Sequence, residues 1–324
     1  RSEGKTIGAD NATGGAGAHS TNFTSIMHNA IDQMLLAFKA GAAADRAIDA
    51  IRAGQRPVIT VANTLESFLT QVAEDSSKSA GSEFEVSFGD VFRRYLERSR
   101  VISIRKPFME KGAKAEKHRL TDRELGPAGV EAFNDAMAMI DRAGLDDLPG
   151  SPIDFMIARI KDAGYQVGEI TGRGLGLEYR DGRSFLKVRS QAERSIKGRI
   201  KTIERFNNGD IDAIILNRSG STGLSLHASE RFRDQRQRKM IIAQAEGNID
   251  THMQMLGRIH RTGQVVLPEY DQLVGGVPAE KRPAAVLAKK MASLNANTTA
   301  ARDSALTSTE VLDFMNEYGD EVAA

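Results

Sequence analysis

Residues 203–225 read Ile-Glu-Arg-Phe-Asn-Asn-Gly-Asp-Ile-Asp-Ala-Ile-Ile-Leu-Asn-Arg-Ser-Gly-Ser-Thr-Gly-Leu-Ser and hold a helix end, a strand and a loop in immediate succession. The helix is predicted by apolar residues at helical spacing, which are expected to face inward: Ile196, Ile200, Ile203 and Phe206. It should end at 207–209, because the glycine there favours the conformation that closes a helix. The apolar run 213–216 then predicts a buried strand, and the small residues 219–225 predict a loop.

The same alternation of strand and helix extends along the chain in both directions. Further apolar runs predict strands at 58–61, 165–170 and 239–243, and residues 173–190 predict a hairpin closed on an Asp-Gly turn. Apolar residues at helical spacing predict helices at 23–38 and 44–51 and after Pro152. This order predicts an α/β fold, a parallel sheet with helices on both faces.

Composition divides the chain into segments. Residues 1–22 are rich in Gly, Ala, Ser, Thr and Asn, and are predicted to be a linker or extended arm. The α/β core is expected in 23–72 and 148–282. A basic, mainly helical insertion is predicted at 73–147, and a C-terminal helical extension at 283–324.

Bulk composition restricts the class of protein. A chain of 324 residues that is 40% hydrophobic and 27% charged is typical of a globular protein. No apolar run approaches the length of a membrane span and the first residues resemble no signal peptide, so we expect a soluble intracellular protein with no membrane partner. Because residue 1 is not Met, the chain is expected to be a piece of a longer polypeptide. The absence of Cys excludes thiolate metal sites, the His are not paired with carboxylates at ligand spacing, and no metal site is predicted.

The net charge of the chain is only +1, but positive charge is concentrated in particular segments. Residues 93–119 carry ten Lys and Arg against three Glu, and residues 231–239 carry five against one Asp. Each segment could follow a phosphate backbone, or it could be a solvated surface.

A third basic stretch suggests more specific chemistry. Residues 250–264 read Asp-Thr-His-Met-Gln-Met-Leu-Gly-Arg-Ile-His-Arg-Thr-Gly-Gln, with no carboxylate after Asp250. Interpreted as a helix, this stretch puts Gln254, Arg258 and Arg261 on one face, with Gly257 leaving room beside them. Two guanidinium groups on a rigid element could grip a polyphosphate, although a solvated basic helix remains the alternative.

Polar and small residues follow three of the predicted strands. Asn63 and Thr64 come after the first strand, Thr171 and Gly172 after the second, and the loop 219–225 after the third. Open α/β sheets bind ligands at the carboxyl ends of their strands. We therefore expect the loop 219–225 and the arginine helix to be neighbours at that edge.

Two of these stretches resemble known motifs. Gln254-x-x-Gly257-Arg258-x-x-Arg261 is similar to the sixth helicase motif of superfamily 2, and Ser219 to Leu226 resembles the fifth. Within the superfamily the chain resembles the strawberry notch family, through these segments: 170–173, 219–228, 231–239, 266–270 and 288–290. The resemblance covers roughly 23–73 and 148–303. At Thr262-Gly263-Gln264 the chain is instead similar to Swi/Snf-type translocases.

The resemblance implies a second RecA-like lobe. In such motors ATP lies between two lobes, and the N-terminal RecA-like lobe of the same polypeptide supplies the phosphate-binding loop and holds Mg. Arg261 would then be the arginine finger, Arg258 would share that role or bridge the lobes, and Gln254 would couple nucleotide to nucleic acid. The chain contains no Gly-x-x-x-x-Gly-Lys-Ser/Thr, so it is expected to hold half an ATP site and to be inactive alone.

The remaining roles follow from the same resemblance. Residues expected near ATP through small side chains or backbone are Gly257, Gly223, Thr222 and Ser221. Residues expected to contact DNA, with RNA as a possibility, are Asn63, Thr64, Thr171, Gly172, Ser219 and Gly220. The implied function is that of an ATP-dependent translocase or helicase. The alternative is a degenerate lobe that acts as a scaffold or regulatory module.

Overall fold

The computed structural model describes residues 18–19, 23–64, 66–75, 77–104, 116–217 and 225–297. The strands are β1 (Ala18–His19), β2 (Arg56–Val61), β3 (Val101–Ile104), β4 (Glu116–Arg119), β5 (Val167–Ile170), β6 (Leu175–Arg180), β7 (Arg183–Val188), β8 (Ala213–Asn217), β9 (Arg238–Ile242) and β10 (Glu269–Gln272). The α-helices are α1 (Phe23–Arg52), α2 (Glu66–Asp75), α3 (Phe88–Ser99), α4 (Asp122–Arg142), α5 (Pro152–Asp162), α6 (Gln191–Arg194), α7 (Ile196–Asn207), α8 (Ile249–Leu256) and α9 (Pro278–Asn297). None of the helices in these ranges is both long and apolar enough to cross a membrane.

The chain divides into two compact units, 1–34 with 86–150 and 35–85 with 151–324. The second unit contains a five-stranded sheet in the order β10-β9-β2-β8-β5, and every pair in it is parallel. The predicted α/β class is confirmed, and the arrangement is RecA-like. The sequence did not predict β10, whose residues Glu-Tyr-Asp-Gln lack an apolar run.

Helices cover both faces of this sheet, as predicted. Alternate side chains of β2 and β8 point to opposite sides, so both strands are buried along their length. Val58, Ile214 and Leu216 pack with residues of α7, α8 and α9 in one core cluster. Ile59 and Ile215 pack with α1 and α5 in the other.

The segment 23–52 forms one helix, whereas the sequence predicted two. Its centre is rich in alanine, the residue that most favours helix, and the single Gly41 costs only about 1 kcal/mol. Ala40, Ala43 and Ala44 are completely buried among the residues of one core cluster. Tertiary packing therefore holds together a helix that the pattern alone divided.

The predicted hairpin is present, whereas the predicted buried face of α7 is only partly buried. The hairpin β6-β7 closes on Asp181 and Gly182, with φ of 50° and 75°, the left-handed pair that a two-residue hairpin turn requires. In α7, Ile203 and Phe206 are buried as predicted, but Ile196 and Ile200 are 70% and 43% exposed. The prediction for this second pair is wrong, because only the second half of α7 is covered by the core.

The smaller unit contains α3, α4 and the antiparallel strands β1-β3-β4. Much of the described part of its basic segment is neutralised internally. Arg93 pairs with Asp141 and Asp146, and Arg119 pairs with Glu97. Residues 105–115 of this segment lie outside the described residues, and the predicted insertion and segment boundaries stay predictions.

Candidate functional site

The arginine segment is not one helix. α8 begins after Asn248, whose side chain accepts a hydrogen bond from the Thr251 amide at 3.0 Å, and it ends at Leu256. The prediction that Gln254, Arg258 and Arg261 share one helix face is therefore wrong. Gln254 is exposed on the helix, whereas both arginines follow it in an irregular turn.

Packing explains why the helix stops. The amides of Arg258 and Ile259 bond three residues back, to the carbonyls of Met255 and Leu256 at 3.0 and 3.4 Å, which tightens the last turn. Leu256 and Ile259 are both buried in the same core cluster. Gly257 caps the helix with an ordinary φ of −63°, and a methyl group there would lie 3.4 Å from the Met253 carbonyl oxygen. The glycine is therefore not required by strain or by crowding.

The turn is joined to the segment that follows β8. The Leu226 amide donates to the Arg258 carbonyl at 2.9 Å, and the Val265 amide donates to the Ala228 carbonyl at 2.8 Å. Ser229 and Gln264 form an antiparallel bridge. Five predicted site residues immediately upstream lie outside the described residues: Ser219, Gly220, Ser221, Thr222 and Gly223. The contact therefore connects the end of one predicted motif to the other.

This contact lies toward the amino ends of the strands, not at the carboxyl edge as predicted. Arg238, the first residue of β9, donates from Nε to the Leu226 carbonyl at 3.0 Å. Tyr270, the second residue of β10, donates from its hydroxyl to the Leu256 carbonyl at 3.0 Å. The reason is chain direction, since α8 starts after the carboxyl end of β9 and runs back along the sheet.

The electrostatic environment of the turn is positive. Arg258 is half-buried, and burial together with neighbouring Arg261 lowers its pKa. Burial, Arg261 and two further arginines lower the pKa of His227. Arg261 is exposed, and its amide donates to Gln264 Oε1 at 3.1 Å. Residues 260–264 line an open depression of about 670 Å³, in which Arg261 is the charged side chain.

The other predicted site residues follow the carboxyl ends of β2 and β5. Asn63 and Gly172 are exposed and Thr64 is half-buried. The Asn63 amide donates to Gln244 Oε1 at 3.1 Å, which ties the end of β2 to the second residue after β9. Thr171 is completely buried and its hydroxyl donates to Glu169, so its side chain faces the protein interior.

An ion network behind Thr171 was missed by the sequence analysis. Arg173 is fully buried and donates to both carboxylate oxygens of Asp154, at 2.7 and 2.6 Å, and to Glu169 at 2.7 and 2.8 Å. Arg189 donates to Glu169 at 2.9 Å. Burial raises the pKa of Glu169, but its two arginine partners outweigh burial and hold that pKa below the ordinary value. The network fixes the backbone that carries Thr171 and Gly172.

The basic segment 231–239 is also largely committed within the protein. Arg238 is 1% exposed, and besides Leu226 it donates to the carbonyls of Asp234 and Arg236, both at 2.8 Å. Burial, opposed by Asp234, lowers the pKa of Arg238 to about 10. The Asp234 carboxylate also pairs with Arg56 and Arg236. For Arg238, the structure replaces both sequence interpretations, a phosphate track or a solvated surface, with an internal network. Arg236 pairs with Asp234, but its side chain is 47% exposed.

Among the residues the structure describes, no group of three or more His, Cys, Asp and Glu side chains could hold a metal ion.

Comparison with known proteins gives one family. A sequence model described as the C-terminal domain on strawberry notch homologue matches residues 151–323. Protein strawberry notch homolog 1 of Gallus gallus is 33% identical over 179 residues, which is 54% of this chain and 14% of that protein. Protein strawberry notch of Drosophila melanogaster is 31% identical over 182 residues, 53% of this chain and 11% of that protein. Protein FORGETTER 1 of Arabidopsis thaliana is 28% identical over 155 residues, which is 47% of this chain and 12% of that protein.

Proposed function

This chain belongs to the strawberry notch C-terminal domain family, a helicase-like lobe, and on that premise we propose that it is the second motor lobe of an ATP-dependent DNA translocase or helicase. It covers only 14% of the length of the chicken relative, so the activity of the whole protein is part of the proposal. The observation that carries it is the 2.9 Å bond between Leu226 and Arg258, which ties the loop after β8 to the arginine turn.

In this proposal the two arginines act on the phosphates of ATP. Arg261 is exposed beside an open pocket, so its guanidinium can reach charge that develops on a phosphoryl group bound by the first lobe. Arg258, half-buried behind it, bridges the lobes or shares that role. A finger of this kind contributes about 10³- to 10⁵-fold in turnover. Gly257 leaves the neighbouring surface open, and Gln254 couples nucleotide to nucleic acid.

The fit of the site to ATP rests on charge and access. Arg261 contributes positive charge to the pocket that residues 260–264 line, and this pocket is open to solvent. ATP supplies the phosphoryl group and Mg is held by the first lobe. This chain contributes arginines and, from residues 221–223, backbone amides and hydroxyls that bind phosphate oxygens.

Nucleic acid binding is proposed at the carboxyl edge of the sheet. Asn63 and Gly172 are exposed there, and β8 ends at the same edge at Asn217. Ser219 and Gly220 follow in sequence and lie outside the described residues. Thr64 contributes a half-buried hydroxyl. Because the Thr171 side chain is committed to Glu169, Thr171 would take part only through its backbone.

The experiment compares ATP hydrolysis by two proteins, with and without DNA. A polypeptide that contains both lobes should hydrolyse ATP with stimulation by DNA, and residues 1–324 alone should show negligible turnover. Steady turnover by residues 1–324 alone would refute the shared site. If the two-lobed protein binds nucleotide but never turns it over, the scaffold or regulatory alternative is the better account.

A further inference from the structure

The first half of α7 presents an apolar stripe to solvent. Ile196 and Ile200 stand one turn apart and are 70% and 43% exposed. The apolar face of the same helix continues into Ile203 and Phe206, which are buried in the core. The stripe is therefore an extension of a packing surface beyond the part that the core covers.

Basic side chains border this stripe. Lys197 and Lys201 follow the two isoleucines by one residue each, so they form a parallel row on the same helix, and both are exposed. In the described part of the chain neither lysine has an ion-pair partner, although the basic groups of 231–239 are extensively paired. We define Ile196, Lys197, Ile200 and Lys201 as the α7 surface. It combines apolar area with unneutralised positive charge.

The C-terminal sequence has the opposite character. Residues 307–324 contain five Asp and Glu and no Lys or Arg. Val311, Phe314, Met315 and Tyr318 are spaced i, i+3, i+4, i+7, the pattern of an amphipathic helix. Thr307 and Glu310 have the spacing of a capping box just before that apolar run. These residues lie outside the part of the chain that the structure describes.

We propose that residues 307–318 dock on the α7 surface of the same chain. The apolar residues of the segment would cover Ile196 and Ile200, and the row Glu310, Asp313 and Glu317 would face Lys197 and Lys201. A nucleic acid would neutralise the charge of the lysines but would not cover the isoleucines. The exposed apolar area therefore favours a protein occupant. The inference concerns a surface outside the proposed ATP site and does not depend on it.

The chain is long enough for this contact. α9 ends at Asn297, and its residues Leu287 and Met291 pack in the same core cluster as α7, on one face of the sheet. The residues 298–306 span up to roughly 30 Å when extended. For comparison, five strands at about 4.8 Å spacing make a sheet roughly 19 Å across between its outer strands, which is shorter than this span. A tethered segment also docks at an effective concentration on the order of millimolar, which favours the intramolecular contact over a second copy.

The absence of Cys allows a direct test by disulfide trapping in the 324-residue chain. Ile196→Cys is combined with Phe314→Cys, and the control combines Leu267→Cys, which replaces a residue 56% exposed elsewhere on the same unit, with the same Phe314→Cys. Under mild oxidation in dilute protein, the first pair should form an intramolecular disulfide at least tenfold faster than the control pair. Equal rates for the two pairs, or covalent dimers in place of the intramolecular product, would overturn the proposal.

A charge exchange tests the pairing itself. In the 196–314 pair, Lys197→Glu with Lys201→Glu should slow trapping severalfold, and adding Glu310→Lys with Glu317→Lys should restore it. The matched control is Lys187→Glu, an exposed lysine on β7, which should leave the rate unchanged. Failure of the second exchange to restore trapping, or an equal loss in the control, would contradict the proposed contact. Thermal melting of each variant confirms that these surface changes leave the fold intact.

Discussion

The amide of Leu226 donates to the carbonyl of Arg258 at 2.9 Å, and the carbonyl of Leu226 accepts from Arg238 at 3.0 Å. One buried leucine thus connects the arginine turn after α8 to the first residue of β9. Arg238 is itself stacked over the Phe206 ring at 5.1 Å, which extends the connection to the end of α7. The orientation of the turn consequently depends on residues far from it in sequence.

Arg261→Ala should leave stability within about 0.5 kcal/mol, because the side chain is exposed. In a protein with both lobes it should reduce DNA-stimulated ATP hydrolysis by about 10³-fold or more if Arg261 is the finger. Arg183→Ala is the control, since Arg183 is 66% exposed on the β6-β7 hairpin. Unchanged turnover in the Arg261 variant would refute the finger role.

Gly257→Ala separates folding from function at the turn. The new methyl group meets only ordinary contacts and φ is negative, so stability should be unchanged or higher by about 0.4–1 kcal/mol. If ATP or the first lobe approaches this backbone closely, turnover should fall while the melting temperature does not. Gly41→Ala in α1, where a methyl group has no neighbour within 4 Å, should raise stability without affecting turnover. Full activity of Gly257→Ala would contradict close approach.

Arg238→Met should destabilise the protein by about 1–3 kcal/mol, because carbonyls of Leu226, Asp234 and Arg236 lose their buried donor. Hydrogen exchange of the Leu226 amide should accelerate more than that of amides in β5, since the segment that holds Arg258 is released. Arg238→Lys should rescue part of the stability. Uniform acceleration across the sheet would show that Arg238 serves global stability alone.

Glu169→Gln tests the ion network through pH. The pKa of Glu169 is held below its ordinary value of 4.5, so its contribution is present above about pH 4.5 and is lost as pH falls through the lower, folded pKa. The variant should be less stable at pH 7 by roughly 3 kcal/mol, the lower end of the usual cost of removing one partner from a buried ion pair. The lower end applies because Arg173 keeps its ion pair with Asp154. Its stability should fall less steeply below pH 4.5 in urea unfolding. Asp162→Asn, an exposed change, is the control; an identical slope for Glu169→Gln and the parent protein would contradict the prediction.

Much of the fold followed from local pattern. The strands β2 and β8 are apolar over several residues because both faces of a parallel sheet are buried, and the Asp181-Gly182 turn has the residue types that its φ angles require. The predictions were wrong where packing against another segment decides whether a side chain is buried. Ile196 follows the same periodicity as Ile203, but whether the core extends beneath it is not encoded in the helix itself.

For the candidate site, the sequence by itself determined which chemical groups are present: two arginines three residues apart, a glycine before them, and a family resemblance that the comparison confirmed. Only the tertiary structure decided that α8 ends before both arginines and that Leu226 holds Arg258. It also decided that Arg238, Arg173 and Glu169 are buried partners and not surface charges. The physical reason is that helix ends and buried ion pairs depend on contacts between segments distant in sequence, whereas strand and turn patterns depend on near neighbours.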